Sequence, residues 1–252
     1  ELTAYGWSVT DRGAVQVPGA GISSTSLPNE KRNAYNEGAV ATMCSALSNA
    51  VHRSISDRHM TLVLGGDHSI AIGSISGILR TRDDVGIIWI DAHADINTPQ
   101  TSSSGNIHGM PVAALCGLLE VSELHLGHDD GTAVAPENVY LLGIRSLDPA
   151  EKAAALAHGL NVHDMRQIDE QGMAKVLGGI LERIAARGGH LHVSFDLDFL
   201  DPSVAPGVGT PVQGGATWRE AHLCMEMIHE SGLMRSLVLV ELNPYLDIRA
   251  SS

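Results

Sequence analysis

The sequence has few cysteines, few basic residues and no long hydrophobic run, and each shortage excludes a class of protein. Its three cysteines (Cys44, Cys116 and Cys224) lie far apart, which favours a reduced, cytoplasmic setting over a disulfide framework. Only 16 Lys and Arg residues oppose 29 Asp and Glu residues, so nucleic acid and anionic membrane surfaces are poor partners. No apolar run approaches the roughly 20 residues of a membrane span.

What the sequence does contain is an alternation of strand and helix patterns. Short apolar runs typical of buried parallel strands lie at residues 61–64, 85–90, 138–143, 160–163, 191–195 and 237–240, with a weaker strand near 14–17. Helical patterns cover 29–54, 70–79, a segment that opens at Asp148, 169–187 and 217–231. This alternation predicts a doubly wound α/β domain with a parallel sheet and helices on both faces.

The segment at 91–97 (DAHADIN) directly follows the apolar run at 85–90. Asp91, His93 and Asp95 come at every second position, and side chains two apart on an extended segment point the same way. Three such groups held together without a cation would repel and shift each other's pKa values, so a bound metal is expected. The plainer alternative is a set of solvated polar residues at a strand end.

Other predicted strands end in similar residues: His68, Asp196 with Asp198, and Glu241. Functional residues of doubly wound sheets lie just beyond the carboxyl ends of the strands, so these side chains are expected to converge. The candidate ligands are His68, Asp91, His93, Asp95, Asp196 and Asp198. They exceed the four ligands of a tetrahedral zinc and suit two cations about 3.5–4 Å apart that share carboxylates and activate a water for hydrolysis. Carboxylate-rich sites with imidazole favour manganese.

Six motifs together resemble the arginase/agmatinase (ureohydrolase) family, and arginases in particular. In family order they are GGDHS (65–69), DAHADIN (91–97), SGNIHGMPV (104–112), SFDLDFLDP (194–202), GTPVQGG (209–215) and ELNP (241–244). The resemblance implies a three-layer α/β/α fold with a mainly parallel sheet and two manganese ions per chain. It also implies manganese-dependent hydrolysis of L-arginine to L-ornithine and urea by a metal-bridging hydroxide, in a homotrimer or homohexamer.

The resemblance also implies roles for the ligand residues. One ion would be held by His68, Asp91, Asp95 and Asp196. The other would be held by Asp91, His93, Asp196 and Asp198, so that Asp91 and Asp196 bridge the two. Asp95 could also accept a proton from the nucleophile.

Further residues match positions that handle the substrate in the family. Glu241 would pair with the guanidinium, and Thr210 would lie near the substrate or the ligand shell. Asn97, Ser104 and Asn106 would hold the α-carboxylate, and Asp148, with Glu151 close by, would contact the α-ammonium. His108 would pass a proton to the leaving amine, since histidine exchanges protons near neutral pH. The plainer alternatives are a salt-bridged Glu241, a capping box at Asp148 and Glu151, and a surface loop histidine.

Three departures and two alternative functions accompany the resemblance. The family normally has a strand before residue 1 and a helix after ELNP, so we expect one ureohydrolase domain over 1–252 that lacks terminal elements or loops. Residues 127–131 form a short connection, and Phe199 stands where many arginases carry glycine. The alternatives are hydrolysis of another linear guanidine, such as agmatine or guanidinobutyrate, and a catalytically silent metal-binding regulator.

Overall fold

A six-stranded parallel sheet forms the centre of the protein in the computed structural model, which describes residues 2–18, 34–82, 84–119, 124, 133–247 and 252. Its strands are β1 (Thr61–Leu64), β2 (Val85–Ile90), β3 (Val139–Ile144), β4 (Asn161–Asp164), β5 (His190–Asp196) and β6 (Met234–Val240). Their order in the sheet is β1-β6-β5-β2-β3-β4, and every neighbouring pair is parallel.

Helices cover both faces of this sheet. They are α1 (Glu37–Ser56), α2 (Ile70–Leu79), α3 (Pro111–Leu115), α4 (Pro149–His158), α5 (Met165–Gln171), α6 (Met173–Ala186) and α7 (Trp218–Ser231). Side chains of β2 alternate between two hydrophobic clusters: Trp89 packs with residues of α1 to α4, whereas Ile88 packs with residues of α5 to α7. The predicted three-layer α/β/α architecture is therefore confirmed. No helix in the described part of the chain is long and apolar enough to cross a membrane.

The chain reverses its direction of travel across the sheet between β2 and β5. From β2 it moves outward to β3 and β4, and from β5 it moves the other way to β6. Parallel sheets bind their ligands in the crevice at such a switch point, beyond the carboxyl ends of the strands. Asp91 directly follows β2 and Asp196 is the last residue of β5, so the topology places both carboxylates at this crevice.

Several local predictions were wrong. Residues 14–17 form no strand, and the helix expected from residue 29 begins at Glu37, with residues 29–33 outside the described part. The single helix expected at 169–187 is two helices because Gly172 has a φ of 84°, which a right-handed helix cannot accommodate. The connection at 127–131 lies outside the described residues.

Candidate metal centre and substrate site

Hydrogen bonds within the protein hold the Asp91 carboxylate in place. Its Oδ2 accepts a hydrogen bond from the indole Nε1 of Trp89 at 2.9 Å, and its Oδ1 accepts one from the backbone N–H of His93 at 2.7 Å. The ring of Trp89 also stacks on the ring of His68, with centroids 3.9 Å apart. Strand β2 thus orients both a carboxylate and the neighbouring imidazole.

The first ligand group surrounds Nδ1 of His68. This atom lies 2.9 Å from Asp91 Oδ2, 3.2 Å from Asp95 Oδ2 and 3.1 Å from Asp196 Oδ2. It nevertheless has no partner in hydrogen-bonding geometry among the described residues, whereas Nε2 of the same ring pairs with Ser194 Oγ at 2.7 Å. A histidine fixed through one ring nitrogen, with the other facing oxygens without bonding to them, is arranged as a metal ligand.

The second ligand group surrounds Nδ1 of His93. That atom lies 3.0 Å from Asp198 Oδ2 and 3.4 Å from Asp91 Oδ1. The possible ligand atoms of His68, Asp91 and Asp95 all lie within 4.8 Å of one another, and the same is true of those of Asp91, His93 and Asp198. Asp91 therefore belongs to both groups, with one oxygen toward each histidine.

Of the two ligand histidines, the Asp196 carboxylate contacts only His68 among the described residues. Its Oδ2 faces His68, while its Oδ1 accepts the backbone N–H of Asp198 at 2.7 Å. The structure thus brings all six predicted ligand residues together. The assignment of Asp196 as a second bridging ligand stays a prediction.

The electrostatics of the centre show an excess of buried negative charge. Burial raises the pKa of Asp95 to about 7, with a further contribution from the charge of Asp91, and the same two causes raise the pKa of Asp196. Burial would also favour neutral Asp91, but the nearby imidazoles of His68 and His93 outweigh it and hold the pKa of Asp91 well below its usual value. Burial opposes a charged His93, yet Asp198 and Asp91 raise its pKa to about 11. Cations would relieve this repulsion, so the donor set fits a divalent metal.

Two side chains at the centre project from left-handed backbone. Asp95 has a φ of 51° and Glu241 a φ of 66°, a conformation that costs free energy for residues other than glycine. Tertiary hydrogen bonds hold both: Val112 N–H donates to Asp95 O, and Glu241 N–H donates to Gly66 O. Strain of this kind is concentrated at functional sites.

Glu241 and His108 lie beside the first ligand group. Oε1 of Glu241 accepts the backbone N–H of His68 at 2.8 Å and lies 3.7 Å from Nδ1 of His108. Burial, as the largest cause, raises the pKa of Glu241. The residue predicted to hold a guanidinium and the residue predicted to move a proton are therefore neighbours.

The predicted head-group residues form a second cluster at the start of α4. Nδ2 of Asn97 donates to Oδ2 of Asp148 at 2.9 Å, while Oδ1 of Asp148 caps the helix by accepting from Ala150 N and Glu151 N. Glu151 completes the capping box by accepting from the backbone N–H of Asp148. These contacts leave Glu151 a helix-capping residue in this structure, and its contact with substrate stays a prediction.

The remaining substrate candidates lie on exposed loops. Ser104 Oγ accepts the backbone N–H of Asn106 at 3.2 Å, and both residues are exposed. Thr210, also exposed, donates from Oγ1 to Asp198 Oδ2 at 3.1 Å. Thr210 therefore touches a predicted metal ligand, whereas the substrate contacts of Ser104 and Asn106 stay predictions.

Comparison with known proteins assigns the family. The profile of the Arginase family matches residues 2–252. The chain belongs to the arginase family. Arginase of Agrobacterium fabrum (strain C58) is 42% identical over 98% of this chain and 76% of the relative, and arginase of Bacillus subtilis (strain 168) is 43% identical over 98% and 80%. The native structure of Bacillus caldovelox arginase superposes with a TM-score of 0.92 at 40% identity, over 99% of this chain and 82% of that one.

Family membership makes the chain a hydrolase of the arginase type. The structure also shows the role of Phe199. That side chain is fully buried and meets Phe195 edge-to-face, with ring centroids 5.8 Å apart. A Cβ added to Gly143 would lie 2.4 Å from the Phe199 ring. Phe199 thus fills the hydrophobic cluster of the α5–α7 face against a glycine of β3.

Three residues that support this arginase-family site were not predicted from the sequence. Trp89 and Ser194 each precede a predicted ligand by two positions, and the two-residue period of a strand could have identified them as lying on the same faces as Asp91 and Asp196. Arg145 follows β3 at the same edge of the sheet. Its contacts run to backbone atoms, which no residue pattern indicates.

Proposed function

We propose that this chain hydrolyses L-arginine to L-ornithine and urea and that it holds two manganese ions. The observation that carries the proposal is the position of Asp91, whose two oxygens face His68 and His93. His68, Asp91, Asp95 and Asp196 would hold one ion, and Asp91, His93, Asp196 and Asp198 the other. Relatives named arginase over nearly the whole chain support arginine as the substrate.

The contribution of the ions is separate from that of the side chains. When bound, the two ions would supply a hydroxide at neutral pH and stabilise the charge that develops as it attacks the guanidinium carbon. The protein's own part is to place that carbon. Oε1 of Glu241 is held by the backbone N–H of His68, so its carboxylate is fixed beside the centre and would pair with the guanidinium.

The far end of the substrate would be recognised by the cluster at α4. Asp148 would accept hydrogen bonds from the α-ammonium, while Asn97, Ser104 and Asn106 would donate to the α-carboxylate. Asn97 and Asp148 already contact each other, so the two recognition elements share one position. Thr210 would steady Asp198 from the opposite loop.

Proton movement falls to two side chains. Asp95 would accept a proton from the nucleophile, and His108 would donate one to the leaving amine nitrogen of ornithine. His108 is half-buried and lies next to Glu241. A donor in this position can reach a guanidinium held by that glutamate.

Urea release from L-arginine, agmatine and guanidinobutyrate tests the substrate assignment. Metal-free protein reconstituted with Mn²⁺ should release urea most efficiently from arginine. Faster release from either of the other compounds would replace arginine with that compound as substrate. Two bound ions with no urea from any of the three would indicate the metal-binding regulator. His93→Ala provides a matched control that should bind one ion fewer and lose turnover.

We further propose one ureohydrolase domain over 1–252 that assembles as a homotrimer or homohexamer, as the family resemblance implies. The dispersed cysteines support a cytoplasmic setting. Sedimentation equilibrium of the full chain would test the assembly, and a monomeric species at all concentrations would contradict it.

A further inference from the structure

Arg145 lies just beyond β3, and its guanidinium group is directed at backbone carbonyls. Nη2 donates to Asp198 O at 2.6 Å, to Val212 O at 2.7 Å and to Leu200 O at 3.3 Å. Nη1 donates to Phe199 O at 3.2 Å and to Gly143 O at 3.5 Å, and Nε donates to Val212 O at 3.3 Å. Within the described part of the chain it forms no ion pair with a carboxylate. One side chain therefore connects the loop that carries Asp198 to the loop that carries Thr210.

The backbone of Arg145 connects the same region to the segment after β2. Its N–H donates to Ala92 O at 2.9 Å, and Ala92 N–H in turn donates to Asp198 Oδ1 at 3.2 Å. Ala92 lies between Asp91 and His93. Arg145 thus contacts the two backbone segments that supply every member of the second ligand group.

The surrounding loops are shaped to admit the guanidinium. A Cβ added to Gly215 would lie 2.5 Å from Arg145 Nη2 and 2.6 Å from Asp201 N. Beside that glycine, Ala216 N–H donates to Phe199 O and Asp201 N–H donates to Ala216 O, each at 3.0 Å. A half-buried cation in a slot lined by carbonyls is costly to desolvate unless its donors are satisfied, and here they are satisfied by the loop next to a predicted ligand.

We propose that Arg145 is a positioning residue, which sets the Asp198 carboxylate against His93 and so determines how tightly the second ion is held. This inference rests on the proposed two-ion function. Lysine is a poor substitute because its ammonium has three donors around one point, whereas the planar guanidinium has five in a fixed fork that can serve several carbonyls at once. The plainer alternative is an arginine that only stabilises the fold.

A positioning role and a purely fold-stabilising role are distinguished by titrating the metal-free chain with Mn²⁺. Calorimetry and a count of bound ions follow the titration. Wild-type protein should bind two ions. Arg145→Lys should keep the first and bind the second about 10- to 100-fold more weakly, the range found when partners behind a ligand are removed. Its urea turnover should recover at high Mn²⁺, since all six ligand side chains remain.

Two controls separate positioning from general loss of stability. Arg166→Lys changes an exposed arginine that pairs with Glu170 and should bind both ions as wild type does. Ile180→Val changes the core of α6 and should lower the unfolding free energy without a selective effect on the second ion.

Gly215→Ala supplies a second test that does not change Arg145 itself, and it carries the test if Arg145→Lys fails to fold. The added methyl group should displace the guanidinium and press on the backbone of Leu200 and Asp201, and so weaken the second ion more than the first. Unchanged binding of both ions in Arg145→Lys and Gly215→Ala would overturn the proposed role of Arg145 but leave the two-ion function standing. Wild-type protein that binds fewer than two ions would overturn the two-ion function and this inference with it.

Discussion

Nδ2 of Asn97 donates a hydrogen bond to Oδ2 of Asp148 over 2.9 Å. The asparagine ends the DAHADIN segment, and the aspartate caps α4 through its other oxygen. A residue expected to bind a carboxylate and a residue expected to bind an ammonium are thus held together by contacts that also fix a helix end. An amino-acid head group placed there would find a partner for its carboxylate and a partner for its ammonium side by side.

Asp148→Asn should weaken arginine binding while the fold is retained. Asparagine caps helices about as well as aspartate, but it lacks the charge that pairs with the α-ammonium. A hydrogen bond to a charged group contributes about 1.5–3 kcal/mol, so KM should rise about 10- to 100-fold with kcat nearly unchanged. Asp164→Asn, at the N-cap of α5, is the matched control. An equal KM in both variants would remove Asp148 from the substrate site.

His108→Ala should lower turnover far more than metal content. The imidazole lies beside Glu241 rather than in either ligand group, so its removal should leave the bound ions in place. Loss of a general acid typically lowers the rate about 10²- to 10⁴-fold. Turnover and manganese content measured on one sample would check this, with exposed His158→Ala as control. Parallel loss of metal and activity would contradict a proton-transfer role.

His192 should make the protein less stable as the pH falls. It is fully buried and pairs with Ser236 Oγ at 2.8 Å. Burial, with the nearby His190 and His68, lowers its pKa to about 3. The unfolded chain, with a histidine pKa of about 6.5, therefore binds a proton that the folded chain does not, and stability present at neutral pH is lost between pH 6.5 and about pH 3.

His192→Asn removes this titration and keeps a polar partner for Ser236. Between pH 7 and pH 5 the unfolding free energy of wild type should fall by about 2 kcal/mol relative to that variant, as one proton of linkage requires. Urea denaturation of both proteins at several pH values measures the difference. Parallel pH profiles would show that His192 does not contribute.

Gly143→Ala should destabilise the fold. Gly143 has a φ of 96°, and a Cβ there would approach the Phe199 ring. Left-handed backbone and overpacking each cost about 1–2 kcal/mol or more, so the unfolding free energy should fall by at least about 2 kcal/mol. Adding Phe199→Leu should recover the packing part of this loss. No recovery in the double variant would show that contact with Phe199 is not the cause.

Much of the fold and the ligand set could be predicted because both follow from simple periods. Continuous apolar runs indicate buried parallel strands, and the ends of β2 and β5 bring Asp91 and Asp196 to the same edge of the sheet. The expected two-residue period does not continue beyond these ends, because Asp198 lies in a 3-10 helix, Leu197–Phe199. The strand ends then bring His68 and Glu241 to the same edge. These predictions need only local geometry and the rule that parallel strands end together.

What could not be predicted depends on contacts between distant residues. Arg145 shows its connection to Asp198 only once two loops are folded together. The division of the helix at Gly172 depends on a backbone angle that a glycine permits but does not require. The link from Asn97 to Asp148 spans 51 positions, and a capping pattern gives no sign of it.

The most direct test measures the number of bound manganese ions and the rate of urea release in one preparation. Metal-free protein is titrated with Mn²⁺, and urea release from L-arginine is followed as each ion binds. We expect two ions per chain, with turnover rising as the second ion binds. Saturation at a single ion, or two ions with no urea from arginine, would contradict a dinuclear arginase centre built around Asp91.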